Sequence, residues 1–502
     1  MPGVAVESSE FAHLAQENTH LKVTIVHLET LVEKLQFQLA QLTRRQFGIS
    51  AEGLAQLGLW SPDETPAAEA AHIPTTQVPA HERGKPVRRL LPEDLPRSVI
   101  EIDLAPEQRP CPCCGGARHV IGEEVSEKLD IEPARMSVLQ YRRKKYACRA
   151  CEGEVQSAPM PAQLIEQGMA SPGLLAHVAV AKFCDHMPLA RQERFFVRHG
   201  IELARSTLTD WMLALGQAVS PMVERMGELL KRCDILANDD TSLPWQNGRA
   251  GKTTTARLWV WRGMLDGGKP LLFYQFTADR SGEHPAEFLK GWKGYLQADA
   301  YSAYDRLFID GSIVEVGCMA HARRRYFEIA KNAKTPGFAY EILEHIRGLY
   351  AIEREAKERQ LSAPERKALR QERAPSILTT IKERIEEHLP KVLPKGPLAE
   401  AIGYTLNHWT ALNRYLDDGR LEIDNNAVER AIRPVATGRH NWLFVASERG
   451  GQATAALYSL IESAKANGLN PYAYLRDVFT RLPVTKAMDI DLLLPHLWRP
   501  SG

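Results

Sequence analysis

A chain of 502 residues is too long for one ordinary hydrophobic core, and at about 150 residues per domain it predicts roughly three modules. Apolar residues at 44% and charged residues at 25% exclude a wholly disordered, collagen-like or membrane-embedded chain. Lysine and arginine number 63 against 62 aspartates and glutamates, so no global field draws in a polyanion, and nucleic acid must be held by local patches.

Residues 1–50 carry leucine at every seventh position: Leu14, Leu21, Leu28, Leu35 and Leu42. With these at position d, Phe11, Asn18, Ile25, Val32 and Leu39 fall at position a, a pattern that favours a parallel two-stranded coiled coil with Asn18 fixing its register. The stripe is confined to a and d, which favours self-association into a homodimer or higher oligomer over packing on its own domain. Gly48 and Gly53 end the pattern, and residues 51–104, with prolines at 62, 66, 74, 79, 86, 92 and 96, read as a linker. No run of about 18 apolar residues and no N-terminal leader pattern appears, which predicts a cytoplasmic chain without a membrane partner.

Residues 105–160 hold two C-x-x-C knuckles, Cys111 with Cys114 and Cys148 with Cys151. Two knuckles supply four thiolates, the closed tetrahedral set of a structural Zn2+ site, and Cys113 is the spare thiol. A redox pair is the competing reading, but no thioredoxin-like βαβ pattern surrounds the knuckles. Arg142, Arg143, Lys144 and Lys145 precede the second knuckle without an acidic neighbour and are candidate phosphate contacts.

Helical spacing dominates residues 165–220. A first helix holds Leu174, Leu175 and Val178, and a second runs from Pro188 to about Arg198. After a turn at Gly200, Ser206 and Thr207 introduce a third with Leu208, Trp211, Met212 and Leu215. This is the outline of a helix-turn-helix, with Arg205 and Thr207 at the start of its reading helix.

Residues 230–321 change to strands. Asp234 to Asp239 reads as a buried strand ending in acid; Ala256 to Leu265 and Lys269 to Thr277 form a meander turned by Asp266-Gly267-Gly268. A helix around Pro285 to Trp292 leads to a strand from Tyr295 to Asp299, and Ile313 to Val316 makes a fifth. Buried aspartates at neighbouring strand ends repel unless a cation or proton lies between them, and Mg2+, with Mn2+ as its substitute, suits such a pair. Cys318-x-x-His321 lacks a second half with ligand spacing and is not expected to hold metal, whereas Arg323 and Arg324 are expected to meet a DNA backbone. Gly248 to Thr253 has too few residues between its glycines for a phosphate loop.

Residues 322–420 are helical and charged, an insertion before a second core segment at 421–480 and a tail at 481–502. In that segment Asp424 is placed to cap a helix that carries Glu429 in its second turn. Asp239, Asp299 and Glu429 together can hold two metal ions about 4 Å apart across a phosphodiester, the arrangement of nucleases and strand-transfer enzymes. Arg430, Arg433 and Arg439 follow on the same segment as phosphate contacts.

Over nearly its whole length the chain resembles the bacterial transposases of the insertion-sequence-66 family. The resemblance rests on the zipper, on Cys111-Pro112-Cys113-Cys114-Gly115-Gly116, on Leu296 to Asp305, on Gly317 to Arg324, on Asp424-Asn425-Asn426 with Glu429 to Pro434, on Gly438 to Phe444 and on Asn467 to Leu475. It implies a multidomain α+β chain: coiled-coil helix, zinc-ribbon-like module, helix-turn-helix, and a ribonuclease-H-like mixed α/β core with a helical insertion. It also implies that Asp239, Asp299 and Glu429 form an Asp-Asp-Glu triad that cuts element ends and joins them to target double-stranded DNA, with accessory proteins of the same element as further partners. The family's first block reads Asp-Glu-Thr where this chain has Asp239-Asp240-Thr241, which leaves Asp240 as the alternative first ligand. A zinc-containing DNA-binding regulator without chemistry is the rival reading, and a nuclease without strand transfer uses the same carboxylates.

Overall fold

The computed structural model describes residues 24, 136–146, 156–166, 168–247, 252–333, 337–392 and 394–500. The zipper leucines, the linker prolines and the four knuckle cysteines Cys111, Cys114, Cys148 and Cys151 lie outside the described residues. The chain divides into two compact units, one of them Thr65–Pro159. Its described part is an antiparallel ribbon of β1 (Lys145–Tyr146) and β2 (Gln156–Ser157), with Lys145 opposite Ser157.

From Met160 on, the described residues of the other unit begin with four helices. Ser171 Oγ accepts the Leu174 N–H at 3.2 Å and Pro172 supplies the first helical φ, so α1 (Pro172–Phe183) starts where sequence chemistry directs. After Pro188 comes α2 (Leu189–Arg198), and Gly200, at φ +75°, makes a left-handed turn that an L side chain resists. The third helix, α3 (Arg205–Ala218), has no capping side chain of its own; the Arg205 N–H donates instead to Glu193 Oε1 on α2 at 3.0 Å, which fixes the two helices together at the turn. Helix α4 (Ser220–Leu230) then packs on the sheet.

Five strands lie in the order β5-β4-β3-β6-β7. The long strands β3 (Ile235–Trp245), β4 (Thr254–Leu265) and β5 (Lys269–Thr277) form an antiparallel meander, and short β6 (Gly294–Gln297) and β7 (Ile313–Val316) run parallel to β3. The turn Asp266–Gly268 is as expected, its glycines at φ +73° and +71°. Two boundaries differ from the sequence expectation. Strand β3 does not stop at Asp239 but continues to Trp245, because Leu243 and Trp245 alternate into a small core with Ala256 and Val445. Strand β6 stops at Gln297, so Asp299 stands two residues beyond its end. Between β5 and β6 lies α5 (Glu283–Phe288), earlier and shorter than expected.

From Met319 the chain is helical: α6 (Met319–Asn332), α7 (Phe338–Glu358), α8 (Ala363–His388), α9 (Pro397–Asn407) and α10 (Trp409–Asn413). Their shared core includes Ile342, Ile346, Leu349, Leu378 and Ile381 and runs on into the sheet margin through Val316. Fully buried Arg370 pairs with Glu353 at 2.7 Å and donates to the carbonyls of Tyr415, Asp418 and Leu421, which clamps α7 and α8 to the segment leading out of this region.

The chain returns to the sheet with α11 (Asn426–Trp442), packed against β3 and β4, then α12 (Glu448–Ala466) and α13 (Pro471–Arg481). Helix α12 lies along edge strand β5: Ser463 Oγ accepts the Leu272 N–H and donates to the Leu272 carbonyl, both at 2.9 Å, and Ser459 Oγ accepts the Tyr274 N–H at 2.8 Å. Among the described residues no helix is long and apolar enough to cross a membrane.

Candidate active site

Strands β3 and β6 are parallel neighbours with Ala237 opposite Gln297. Asp239 and Asp299 each follow two residues after that last paired position, and the charge of Asp299 acts on Asp239. Helix α11 brings Glu429 to the same place. Its entry segment is stitched there: Asn425 Nδ2 donates to the Asn238 carbonyl at 2.9 Å, and the Met319 N–H to the Ile423 carbonyl at 3.1 Å. Asp424, expected to cap the helix, binds the N–H and side-chain amide of Asn426 at 3.0 and 2.9 Å, and takes the Tyr350 hydroxyl at 2.9 Å. The Asp424-Asn425-Asn426 sequence therefore sets where the first turn of α11, and with it Glu429, sits between sheet and helices.

The three carboxylates share a field. Burial pushes the Asp239 pKa well above the usual carboxylate range, and the charges of Asp299 and Glu429 push it further. Asp299, 23% exposed, is raised by burial against the pull of Arg280, whose Nη2 is 3.7 Å away. Glu429, 6% exposed, is also raised by burial, opposed by Arg324, whose Nη2 approaches to 3.2 Å, and Asp299 adds to the rise. Asp299 Oδ1 and Glu429 Oε1 are buried without a hydrogen-bond partner. Buried oxygens that lack donors and repel one another suit a hard divalent cation, so the donor set fits Mg2+ or Mn2+.

Asp240 differs from its neighbour because consecutive side chains leave a strand on opposite faces. Its carboxylate, 1% exposed, is bonded by Arg257 Nη1 at 3.0 Å and by Arg280 at 2.8 and 2.7 Å. Among the described residues Asp239 accepts the short-range N–H of Asp240, at 2.7 Å, and no arginine. On this strand Asp240 anchors two arginines while Asp239 faces Asp299 and Glu429.

The expected phosphate contacts belong to both units. Arg142, Arg143, Lys144 and Lys145 are exposed on and before the β1 ribbon, and Arg143 Nε donates to the Ala158 carbonyl at 2.5 Å. Arg205 is exposed and Thr207 half-buried in the first turn of α3. Arg430 is exposed on α11 and Arg433 half-buried. Three further arginines also have partners within the fold. Arg439 Nη1 binds Thr241 Oγ1 at 3.0 Å and Ser242 Oγ at 2.9 Å on β3. Arg323 lies over the Phe327 ring at 5.7 Å, and Arg324 reaches Glu429. Long side chains reach back into the fold in ways that residue type alone does not reveal.

Two residues set aside on sequence grounds stand at the site. Cys318 precedes α6, His321 lies in its first turn, and Cys318 Sγ, a His321 ring nitrogen and a Glu429 oxygen all lie within 4.8 Å of one another. The half-motif Cys-x-x-His was visible; its third member, 108 residues after His321, was not.

The family model described as Transposase IS66 family matches residues 167–453, and IS66 C-terminal element matches 459–496. The model for the zinc-finger binding domain of transposase IS66 matches 108–152, which contains both cysteine knuckles, and Transposase C of IS166 homeodomain matches 34–100. Among curated proteins the chain is similar to the uncharacterized protein y4jD of Sinorhizobium fredii (strain NBRC 101917 / NGR234), 35% identical over 95% of this chain and 94% of that one. It is also similar to y4hP of the same organism, 33% identical over 95% and 90%, and to y4qI, 37% identical over 80% and 76%.

Proposed function

Since the chain belongs to the IS66 transposase family, we propose that it binds the ends of its own insertion sequence, cleaves DNA there and joins the freed 3′-hydroxyls to target DNA at Asp239, Asp299 and Glu429. The observation that carries this reading is the meeting of three carboxylates from β3, the end of β6 and α11, each raised chiefly by burial, two of them with buried oxygens that lack a hydrogen-bond partner among the described residues. The meander followed by two parallel strands and a glutamate-bearing helix supports a ribonuclease-H-like core for 230–321 and 421–480, with 322–420 as its helical insertion.

In this reading Asp239, Asp299 and Glu429 hold Mg2+ or Mn2+, which when bound activates the attacking oxygen and stabilises the leaving one. Asp239 and Asp299 supply ligands from the rigid sheet, and the stitched start of α11 fixes the third. Arg280, held by Asp240, keeps positive charge beside Asp299, and Arg324 does so beside Glu429; both are placed to meet a phosphate once a cation takes the carboxylates. Water, then a DNA 3′-hydroxyl, attacks the phosphodiester, so one P–O bond forms as another breaks, and the leaving 3′-oxygen of the first step is the nucleophile of the second. The zipper at 1–50 assembles the protomers, the Zn2+ module at 105–160 and the helix-turn-helix at 165–220 hold the ends, 51–104 links them, and 481–502 is the tail.

The test is cleavage and joining of a labelled duplex carrying the element's ends, with wild type beside Asp299→Ala and Glu429→Gln. Metal-dependent product from wild type alone, with DNA binding retained by the variants, supports the triad. Product from either variant rules it out, and binding without cleavage by wild type favours the regulator.

A further inference from the structure

Cys318 and His321 have no part in the chemistry above, yet they form the wall behind Glu429. Cys318 Sγ is fully buried and accepts the Asn425 N–H at 3.2 Å, while the His321 N–H donates to the Cys318 carbonyl at 3.1 Å. A backbone N–H directed at sulfur suits a metal-bound thiolate, since it offsets its charge and fixes its direction. His321 Nδ1 and Glu429 Oε1 are both buried without a hydrogen-bond partner and lie 3.7 Å apart.

From this geometry we infer that Cys318, His321 and Glu429 form a second cation site, selective for Zn2+ over Mg2+, whose occupation takes Glu429 away from the catalytic cation. Thiolate and imidazole are poor ligands for Mg2+ and good ones for Zn2+. Ligand atoms around tetrahedral Zn2+ stand about 3.3 to 3.8 Å apart. The pair His321 Nδ1 and Glu429 Oε1 already has that spacing, and the 4.8 Å span of the trio closes with small side-chain rotations. The Cys318 proton is released to solvent as the Zn–S bond forms, and water completes the shell. The second half of the inference rests on the triad reading, because competition requires that Glu429 serve both ions. The site makes Zn2+ an inhibitor of strand cleavage, with Glu429 as the shared ligand.

The experiment uses the full chain, stripped of metal, titrated with Zn2+ and desalted, and compares wild type with Cys318→Ser and, as a second variant, His321→Asn. The expected result is one zinc equivalent fewer per chain in each variant, and with Co2+ a weaker sulfur-to-metal absorption band in Cys318→Ser. In Mg2+-supported cleavage, the zinc concentration that halves each protein's own rate should rise at least tenfold in Cys318→Ser. Equal zinc content in wild type and a folded variant overturns the site. A lost equivalent with unchanged inhibition overturns the competition. If no protein cleaves, the triad reading fails, while the zinc count still decides the site.

Discussion

At the residue scale the informative pair is Asp239 and Asp240, adjacent in sequence and opposite in role. The Asp239 pKa is raised on folding, chiefly by burial, so in the metal-free protein the folded state holds a proton that the unfolded chain has already lost. Stability from this group is therefore present at low pH and lost as pH rises from the ordinary carboxylate range through the raised value. Asp239→Asn removes that penalty. The metal-free variant should melt above wild type at neutral pH, the gap should close toward pH 4, and Mg2+ should raise the melting temperature of wild type only. Thermal unfolding in chelator and in Mg2+ across that range checks the sign; a variant less stable than wild type at neutral pH contradicts it. Asp240→Asn should do the opposite. It strips Arg257 and Arg280 of their shared anion, and with those arginines a quarter and a third exposed the cost should be about 2 to 3 kcal/mol in urea unfolding, below the 3 to 5 of a fully buried pair. Its Mg2+ stabilisation should remain, and loss of that response would make Asp240 the ligand.

At the element scale the site depends on how α11 is delivered. Arg370 holds α7 and α8 to the carbonyls of 415–421, immediately before the Asp424-Asn425-Asn426 stitch that sets Glu429. Arg370→Ala leaves three carbonyls short of a donor and Glu353 with Arg366 as its remaining partner, so it should cost about 2 to 3 kcal/mol of unfolding free energy, whereas an equilibrium loss under 1 kcal/mol would show that the clamp is dispensable. Much of this architecture was readable beforehand. The meander and its Asp266–Gly268 turn follow from alternation and left-handed glycines, and the helix carrying Glu429 was expected from a cap at Asp424, although its N-cap is Asn425 and Glu429 lies in the first turn, not the second. What was not readable depends on distance in sequence. The polar run Asp239-Asp240-Thr241-Ser242 looks like a strand end, and only the core formed with Val445, some 200 residues on, shows why β3 continues. Arg280 was missed, and the hydrogen bonds of Arg439 to β3 were not foreseen, because a guanidinium's partner is set by the fold, not by its neighbours in sequence.

At the scale of the whole molecule, balanced charge means that affinity for DNA must come from a few local contacts. Each phosphate neutralised adds about 0.9 to the slope of log affinity against log salt. Replacing Lys144 and Lys145 together by Ala should therefore reduce that slope by about 2 if both touch phosphate, and an unchanged slope would remove the β1 ribbon from the interface. Replacing Leu21 and Leu28 together by Asp in the full chain should halve the mass seen by sedimentation if the zipper joins protomers. Assembly of this kind gathers identical chains on closely spaced DNA sites, where an open strand margin would invite sheets to fuse. The serines of α12 close that margin on β5, their hydroxyls occupying main-chain groups that a neighbouring strand would otherwise claim. Crowded copies can then meet without pairing along β5, and Ser463→Ala, by leaving the Leu272 N–H and carbonyl buried and unpaired beneath α12, should cost about 1 to 3 kcal/mol in urea unfolding, an unchanged midpoint showing that the serine does not close this margin.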